Sequence, residues 1–185
     1  YWELTHDNAL SQRDGIYQIG TAKELSAFSE LVSYGENSAN AELTADIDLR
    51  ETDCSKVMIG SSSAPYSGVF DGKGHSITYN YQVTSDYSGL FSYVNGATIR
   101  NLTINGEATV PYVHFGGLIG WAKGNVLVEN VMANVDIRGV RKGATGDAGM
   151  IGYNSGNVTF NNCATLGIMG YPSSNFYSSF VGWAP

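Results

Sequence analysis

The pentapeptide Gly117-Leu118-Ile119-Gly120-Trp121 has three relatives elsewhere in the chain. They are Gly89-Leu90-Phe91-Ser92-Tyr93, Gly149-Met150-Ile151-Gly152-Tyr153 and Ser179-Phe180-Val181-Gly182-Trp183. Each copy of this glycine–aromatic phrase has a small residue, two apolar residues, a second small residue and a large aromatic ring. Successive copies begin 28, 32 and 30 residues apart. Self-similarity at such a period predicts a repeat architecture.

A second phrase with a central asparagine recurs between these copies. It reads Ile99-Arg100-Asn101-Leu102, Val128-Glu129-Asn130-Val131 and Phe160-Asn161-Asn162-Cys163. Apolar residues alternate with others on both sides of the asparagine, which is typical of strands. About 30 residues hold two or three short strands with their turns, which is one coil of a parallel β-helix. We therefore predict an all-β solenoid.

Alignment on the asparagine predicts which side chains stack inside the solenoid. The interior stacks are Ala97/Val126/Val158, Ile99/Val128/Phe160, Leu102/Val131/Cys163 and Ile104/Ala133/Thr165. The aligned asparagines would form a ladder at the bend between two strands, where amides bond to each other and to the turn backbone. We interpret them as structural turn residues.

The N-terminal part of the chain predicts one helix. Thr21-Ala22-Lys23-Glu24 is a capping box, and the residues after it place Leu25, Phe28, Leu31 and Val32 on one face. We predict a single β-helix module over 1–185. Residues 16–35 form a strand and a capping helix, 41–83 irregular first coils, and 87–183 the repeated coils.

Composition excludes several classes of partner. The chain of 185 residues has ten Lys plus Arg against seventeen Asp plus Glu, with no basic cluster. Binding to nucleic acid or insertion into a membrane is therefore not expected. The chain starts at Tyr1, and we interpret it as a mature or excised part of a longer protein, with other modules of that protein as partners.

Catalytic and metal-binding motifs are absent from the sequence. The three histidines lack zinc-site spacing, and no nucleophile elbow occurs. The acidic residues of the repeats occupy different phases of the coil, so we predict no enzyme within this chain and no cofactor. Asp46, Asp48 and Asp53 are either solvated acids or a calcium site. Cys54 is expected in a polar loop and Cys163 in the interior, without a disulfide between them.

The combined order of motifs resembles bacterial secreted and cell-surface proteins that carry GLUG-type repeats. The matching pieces are Ile16-Tyr17-Gln18-Ile19, Leu43-Thr44-Ala45-Asp46-Ile47-Asp48-Leu49, Gly68-Val69-Phe70-Asp71-Gly72-Lys73-Gly74-His75 and the glycine–aromatic phrases. The resemblance implies a right-handed parallel β-helix and an extracellular, secreted or surface-anchored setting. Such repeats occur in adhesin-like proteins and in immunoglobulin A1 metallopeptidases, so no activity transfers with them. Tyr79-Asn80-Tyr81 departs from the usual apolar strand, which predicts a distorted first coil.

Two groups of aromatic residues are candidates for ligand contact. Tyr93, Trp121, Tyr153 and Trp183 share one phase of the repeat, so they either form a stripe that stacks on sugars or wedge a corner. Tyr171, Phe176 and Tyr177 lie in a loop that the coil pattern does not require, and the lesser candidates are Tyr79, Tyr81, Tyr112 and Phe115. Asn154, Asn175 and Asp147 are expected to bond to sugar hydroxyls. We expect a non-catalytic module that binds a glycan or a host surface protein. The alternative is a structural segment of a larger secreted enzyme.

Overall fold

The computed structural model describes residues 10–140, 146–170 and 177–185. Strands account for 50% of the chain, and the parallel coils stack into a β-solenoid of about five turns. The described residues contain one α-helix. The predicted all-β parallel β-helix is confirmed. Tyr171, Asn175 and Phe176 lie outside the described residues.

The coils have three faces, each a stack of parallel strands. The first face holds β2 (Ile16–Ile19), β3 (Ala41–Leu43), β5 (Val69–Asp71), the first parts of β8 (Thr98–Val110) and β10 (Asn125–Gly139), and β13 (Asn157–Asn161). Strand β1 (Ser11–Arg13) pairs antiparallel with β2 at the edge of this face. The second face holds β4 (Ile47–Asp48), β6 (Ser76–Gln82), the second parts of β8 and β10, β14 (Ala164–Thr165) and β15 (Met169–Gly170). The third face holds β7 (Phe91–Asn95), β9 (Ile119–Lys123), β12 (Ile151–Asn154) and β17 (Val181–Trp183). A short pair joins β11 (Asp147–Ala148) to β16 (Tyr177–Ser178).

The strand register confirms the predicted interior stacks. Val128 pairs with Ile99 on one side and with Phe160 on the other. Ala133 likewise lies between Ile104 and Thr165. The side chains of the inner coils are fully buried, whereas Phe160 is only partly buried and packs against the core. The difference follows from position, because the last coil has a neighbour on one side only.

The asparagine ladder, formed by Asn101, Asn130 and Asn162, bends the chain between the first and second faces. All three residues adopt left-handed backbone, with φ between 51° and 52°. Each amide donates to the rung before it: Asn162 to Asn130 at 2.8 Å and Asn130 to Asn101 at 3.0 Å. Asn101 donates in turn to the Asp71 carboxylate at 3.0 Å. Asparagine suits this site because it tolerates left-handed backbone and bonds in both directions.

The first coils are more regular than the sequence predicted. Strand β6 pairs with β8 over seven residues, from Ser76 to Gln82. Tyr79 and Tyr81 point into the core and are buried, and the Tyr79 hydroxyl donates to the Gly117 carbonyl at 2.8 Å. The two tyrosines therefore act as large core residues, and Tyr79 ties the second face to the third.

The helix α1 (Ala22–Ser33) covers the N-terminal end of the core. Its predicted face, Leu25, Phe28, Leu31 and Val32, is buried. The Thr21 hydroxyl accepts from the Glu24 N–H, and the Glu24 carboxylate accepts from the Gly20 N–H at 2.8 Å. The ring of Phe28 packs against Tyr66 and Phe70 of the first coils. The helix thus closes an end that would otherwise expose apolar side chains.

Both cysteines are free thiols. Contrary to expectation, Cys54 is not in a solvated loop. It is the buried first residue of a 3₁₀ turn (Cys54–Lys56) whose other two residues are exposed, and its sulfur lies near the Asn80 carbonyl. Burial raises the pKa of the Cys54 thiol to about 11, so the thiol is protonated at neutral pH.

Replacement of Val128 by Asp should reduce the free energy of unfolding by about 3 kcal/mol or more, because the new carboxylate has no partner inside the stack. Asn134→Asp, at an exposed site of the same strand, should stay within about 0.5 kcal/mol of the parent chain. Chemical denaturation measures both. Similar stabilities for the two variants would contradict the interior register.

Replacement of Asn130 should separate the two roles of the asparagine ladder. Asn130→Ala loses two amide hydrogen bonds and places an ordinary side chain at left-handed backbone, which should cost about 2–3 kcal/mol. Asn130→Gly loses the same bonds, but glycine adopts the left-handed conformation without steric strain. It should therefore be about 1 kcal/mol more stable than Asn130→Ala. If thermal or chemical denaturation shows the same loss of stability in both variants, the left-handed backbone of Asn130 contributes nothing to the difference in stability.

Candidate functional site

The aromatic column consists of Tyr93, Trp121, Tyr153 and Trp183 on the third face. The strand register pairs Tyr93 with Trp121, Trp121 with Tyr153 and Tyr153 with Trp183. The predicted stripe is therefore present. Three of its rings are partly buried, and Trp183 is 43% exposed. At about 4.8 Å for each coil, the column is about 14 Å long.

Two further rings, Tyr87 and His114, join the column from a neighbouring corner. Both residues have left-handed backbone, with φ of 57° and 60°. Their rings stack on each other with centroids 5.0 Å apart and planes inclined by 19°. Tyr87 lies 4.7 Å from Trp121, and His114 lies 5.0 Å from Tyr153. The repeat pattern does not predict that these two residues join the column, although each stands two or three positions before a glycine–aromatic phrase.

The close approach of this corner explains the second small residue of the phrase. A Cβ atom on Gly120 would overlap the carbonyl oxygen of Tyr87, and one on Gly152 would overlap that of His114. The same clash would occur between Gly182 and Gly146, which has φ of 65°. Glycine is thus required where the corner backbone crosses the third face. The next residue of each phrase carries the aromatic ring.

Several different contacts hold the Trp121 ring. The Tyr87 ring packs against it at an inclination of 31°, and Lys123 places its ammonium group 4.1 Å from the ring centroid. The indole N–H donates to the Ser155 hydroxyl at 2.8 Å. Packing, a cation–π contact and a hydrogen bond therefore fix the orientation of this ring before any ligand arrives.

His114 adds a neutral ring to the surface. Burial lowers the pKa of His114 and outweighs the carboxylates of Asp147 and Asp86, which favour the charged form. Its Nδ1 atom is buried and lacks a hydrogen-bond partner of good geometry, although the Gly146 backbone lies close to it. A neutral imidazole continues the uncharged aromatic surface at neutral pH.

The predicted loop candidates have mixed outcomes. The backbone of Tyr177 pairs with Asp147 in a short parallel bridge, but its side chain lies outside the described residues, as do Tyr171 and Phe176. Phe115, a lesser candidate, is buried in the core. Asp147, expected to contact sugar hydroxyls, is also buried and accepts from the Phe115 N–H at 2.9 Å. It therefore supports a turn and cannot reach a ligand on the surface.

The candidate calcium ligands Asp46, Asp48 and Asp53 each have a separate local partner in the structure. Asp46 accepts from the Ser76 N–H, Asp48 forms a two-pronged ion pair with Arg50, and Asp53 caps the 3₁₀ turn. Within the described ranges, no three Asp, Glu, His or Cys side chains are grouped so as to hold a metal ion. Each carboxylate is already engaged by a separate local donor.

A charged cleft of about 310 Å³ lies on the first face, near β1. Glu42 and Asp71 sit side by side on adjacent strands at its base, and both are nearly buried. Arg13 contacts Glu42 at 2.6 Å, and Arg100 contacts Asp71 at 2.9 Å. Lys73 adds a longer ion pair to Glu42. The sequence did not predict this cleft.

Electrostatics keep both carboxylates of the charged cleft ionised. The Arg13 hydrogen bond is the main reason that the pKa of Glu42 lies below its ordinary value. Burial raises the pKa of Asp71, but hydrogen bonds from Asn101, Lys73 and Arg100 outweigh it and lower the net value. The Arg13–Glu42 ion pair joins β1 to the sheet, and the Arg100–Asp71 pair links two neighbouring strands within it.

Comparisons of the chain with family models, with curated proteins and with solved structures found no match. The resemblance to GLUG-type repeats therefore stays a prediction. No helix in the described part of the chain has both the length and the apolar character of a membrane span.

The charged cleft should make the protein sensitive to acid. The folded-state pKa values of Glu42 and Asp71 lie below the ordinary values of 4.5 and 3.8. The two carboxylates therefore stabilise the folded state at neutral pH. This stabilisation is lost as the pH falls below the ordinary pKa values and toward the lower pKa values of the folded state. We expect the cleft to contribute to the loss of melting temperature only below about pH 5. The lowered pKa of His114 adds a separate loss that begins as the pH falls through its ordinary value of 6.5.

Asp71→Asn should reduce this acid sensitivity. The amide keeps an acceptor for Asn101 but loses the ion pair with Arg100, so the variant should be less stable at pH 7 by about 1 kcal/mol. Its difference from the parent chain should shrink at low pH. Glu129→Gln, outside the cleft, serves as the control. A constant difference between Asp71→Asn and the parent at every pH would contradict the assignment.

Proposed function

We propose that this chain is a non-catalytic extracellular module that binds a glycan along the aromatic column. The observation that carries the proposal is the register of Tyr93, Trp121, Tyr153 and Trp183, which forms one continuous strip of partly exposed rings. The apolar face of a sugar ring packs well on aromatic surface, and a regular strip suits a ligand with repeated units.

The surroundings of the column supply polar groups for sugar hydroxyls. Lys123 is exposed and covers one face of Trp121, so a sugar ring can take the place of the ammonium group while the lysine donates to a hydroxyl. Ser155 lies beside the same ring, where its hydroxyl accepts from the Trp121 indole N–H at 2.8 Å. Asn154 pairs in register with the buried Ala122, so its side chain does not share the face of the aromatic rings. Rings fixed by mutual contacts lose little conformational entropy on binding.

The proposed setting is the surface of a bacterium, with a host glycan or surface glycoprotein as the ligand. This part of the proposal rests on the sequence resemblance to GLUG-repeat proteins, some of which are adhesin-like. A solenoid suits the role because its rigid faces hold binding groups at fixed spacing. No cofactor enters this scheme.

A structural segment of a larger secreted enzyme is the second candidate. The observation that favours it is that Trp121 already contacts the Tyr87 ring and the Lys123 ammonium group, since a ring engaged in this way serves packing as well as recognition. Under this alternative the column stiffens the third face, and the module holds other domains apart.

Two tryptophan variants should separate these functions. Trp183→Ala removes the most exposed ring, so it should weaken glycan binding at least about tenfold while changing stability by only about 1 kcal/mol. Trp121→Ala removes an enclosed ring and should cost about 3 kcal/mol. Tyr34→Ala, an exposed aromatic on the far helix, is the matched control and should bind like the parent chain.

The measurement is an oligosaccharide array followed by calorimetric titration of the best array ligand, with thermal denaturation of each variant. Loss of binding in Trp183→Ala alone supports the glycan proposal. Absence of any array ligand, or unchanged binding in a folded Trp183→Ala variant, would reject it in favour of the structural segment.

A further inference from the structure

The charged cleft on the first face carries its acidic groups at the base and its basic groups at the rim. The side chains of Glu42 and Asp71 are only 10% and 11% exposed. Those of Arg13, Lys73 and Arg100 are 70%, 49% and 43% exposed. Three positive groups against two negative ones give this ion-paired cluster a formal charge of +1, in a chain whose net charge is −7. A solute that enters the cleft therefore meets positive groups first.

The carboxylate oxygens of the cleft already have partners. The two oxygens of Asp71 accept from the Lys73 N–H and from the Arg100 Nε, both at 2.9 Å. One oxygen of Glu42 accepts from Arg13 at 2.6 Å, and the other faces the Lys73 ammonium group at 3.6 Å. A cationic ligand would have to displace these donors before it could bind. The cleft therefore does not favour a positively charged ligand.

The basic side chains, in contrast, keep donor groups for a ligand. Among the described contacts of the cleft, Arg100 reaches Asp71 through Nε, which leaves the N–H groups of its two terminal nitrogens. Glu129 pairs in register with Arg100 from the next strand, but the guanidinium bonds to Asp71 on the side of the cleft. Lys73 forms only a long, half-exposed ion pair with Glu42, and such pairs contribute little stability. Buried carboxylates thus orient cations that can still bind an anion.

The remaining lining of the cleft is apolar, with one amide. Ile16 and Val69 are partly exposed there, and Asn40 lies beside them. The Asn40 side-chain oxygen accepts from the Val69 N–H at 2.8 Å, so its position is fixed and its amide N–H groups serve as donors. The volume of about 310 Å³ is at the lower end of the range for small-molecule sites. Positive donors, a small apolar patch and an amide together suit one sugar unit that bears a carboxylate.

We propose that the charged cleft binds the carboxylate group of an acidic sugar. The carboxylate accepts from the terminal nitrogens of Arg100 and from the Lys73 ammonium group, because a guanidinium group matches a carboxylate through two parallel hydrogen bonds. The apolar face of the sugar ring rests on Ile16 and Val69. The cleft lies on the first face and the aromatic column on the third, so this site does not depend on the function proposed for the column.

Calorimetric titration of the whole chain with sodium D-glucuronate at pH 7 and low ionic strength tests the site. We expect saturable binding that weakens as salt is added, since screening reduces the attraction between partly exposed charges. Arg100→Gln should weaken this binding at least about tenfold, because the amide lacks the charge and the fork of the guanidinium group. Arg138→Gln is the matched control. Arg138 is an exposed arginine with an ion pair to Glu107 on the second face, so its replacement should leave glucuronate binding unchanged.

Lys73→Gln separates ligand binding from folding. It loses only a long, half-exposed ion pair, so its melting temperature should stay within about 3 °C of the parent chain. Its affinity for glucuronate should nevertheless decrease about threefold or more. D-Glucose and acetate should both bind more weakly than glucuronate, because glucose lacks the charge and acetate lacks the ring. Absence of glucuronate binding, equal affinity for glucuronate and either of these two compounds, or unchanged binding in either folded cleft variant would overturn the proposal.

Discussion

In-register stacking of successive coils is the constraint on which this structure depends. Each strand pairs in parallel with its counterpart about 30 residues away, so one residue type repeated at the same position becomes a column along the axis. The corner amides make the register specific, because a shift of one residue would break the bonds that join Asn101, Asn130 and Asn162. Apolar columns fill the interior, and the corners set where each face begins.

The aromatic column is a direct product of that stacking. The coil spacing brings the rings of Tyr93, Trp121 and Tyr153 within contact distance, and Trp183 continues the column. The left-handed corner adds Tyr87 and His114 beside them. From Trp121 onward, the glycine before each aromatic residue leaves room for the backbone of the corner. The same local arrangement therefore packs the corner and holds the ring on the surface. A surface built in this way is rigid. Ligand recognition and structural support consequently share the same residues, and Trp121 serves both.

Much of this architecture could be read from the sequence, because it follows from spacing. The constant distance between the glycine–aromatic phrase and the asparagine predicted that Ile99 and Val128 stack on each other. The capping box of Thr21 and Glu24 predicted the start of the helix. What could not be read depends on contacts between segments without a shared pattern. Tyr87 and His114 sit at left-handed corners, where propensity favours glycine or asparagine. The charged cleft likewise needs the β1 hairpin to fold back onto Glu42.

The dependence of each coil on its neighbours also determines how the molecule responds to damage. A coil in the middle of the solenoid has two interfaces, whereas the last coil has one, so local unfolding requires the least free energy at the C-terminal end. The partial exposure of Val158, Phe160 and Phe180 has the same origin. Amide hydrogens should therefore exchange with solvent in a gradient, slowest near β8 and β10 and faster with each coil toward β17. Any contact that covers the last coil stabilises the part of the molecule that unfolds most easily, and it therefore slows the unfolding of the solenoid from that end.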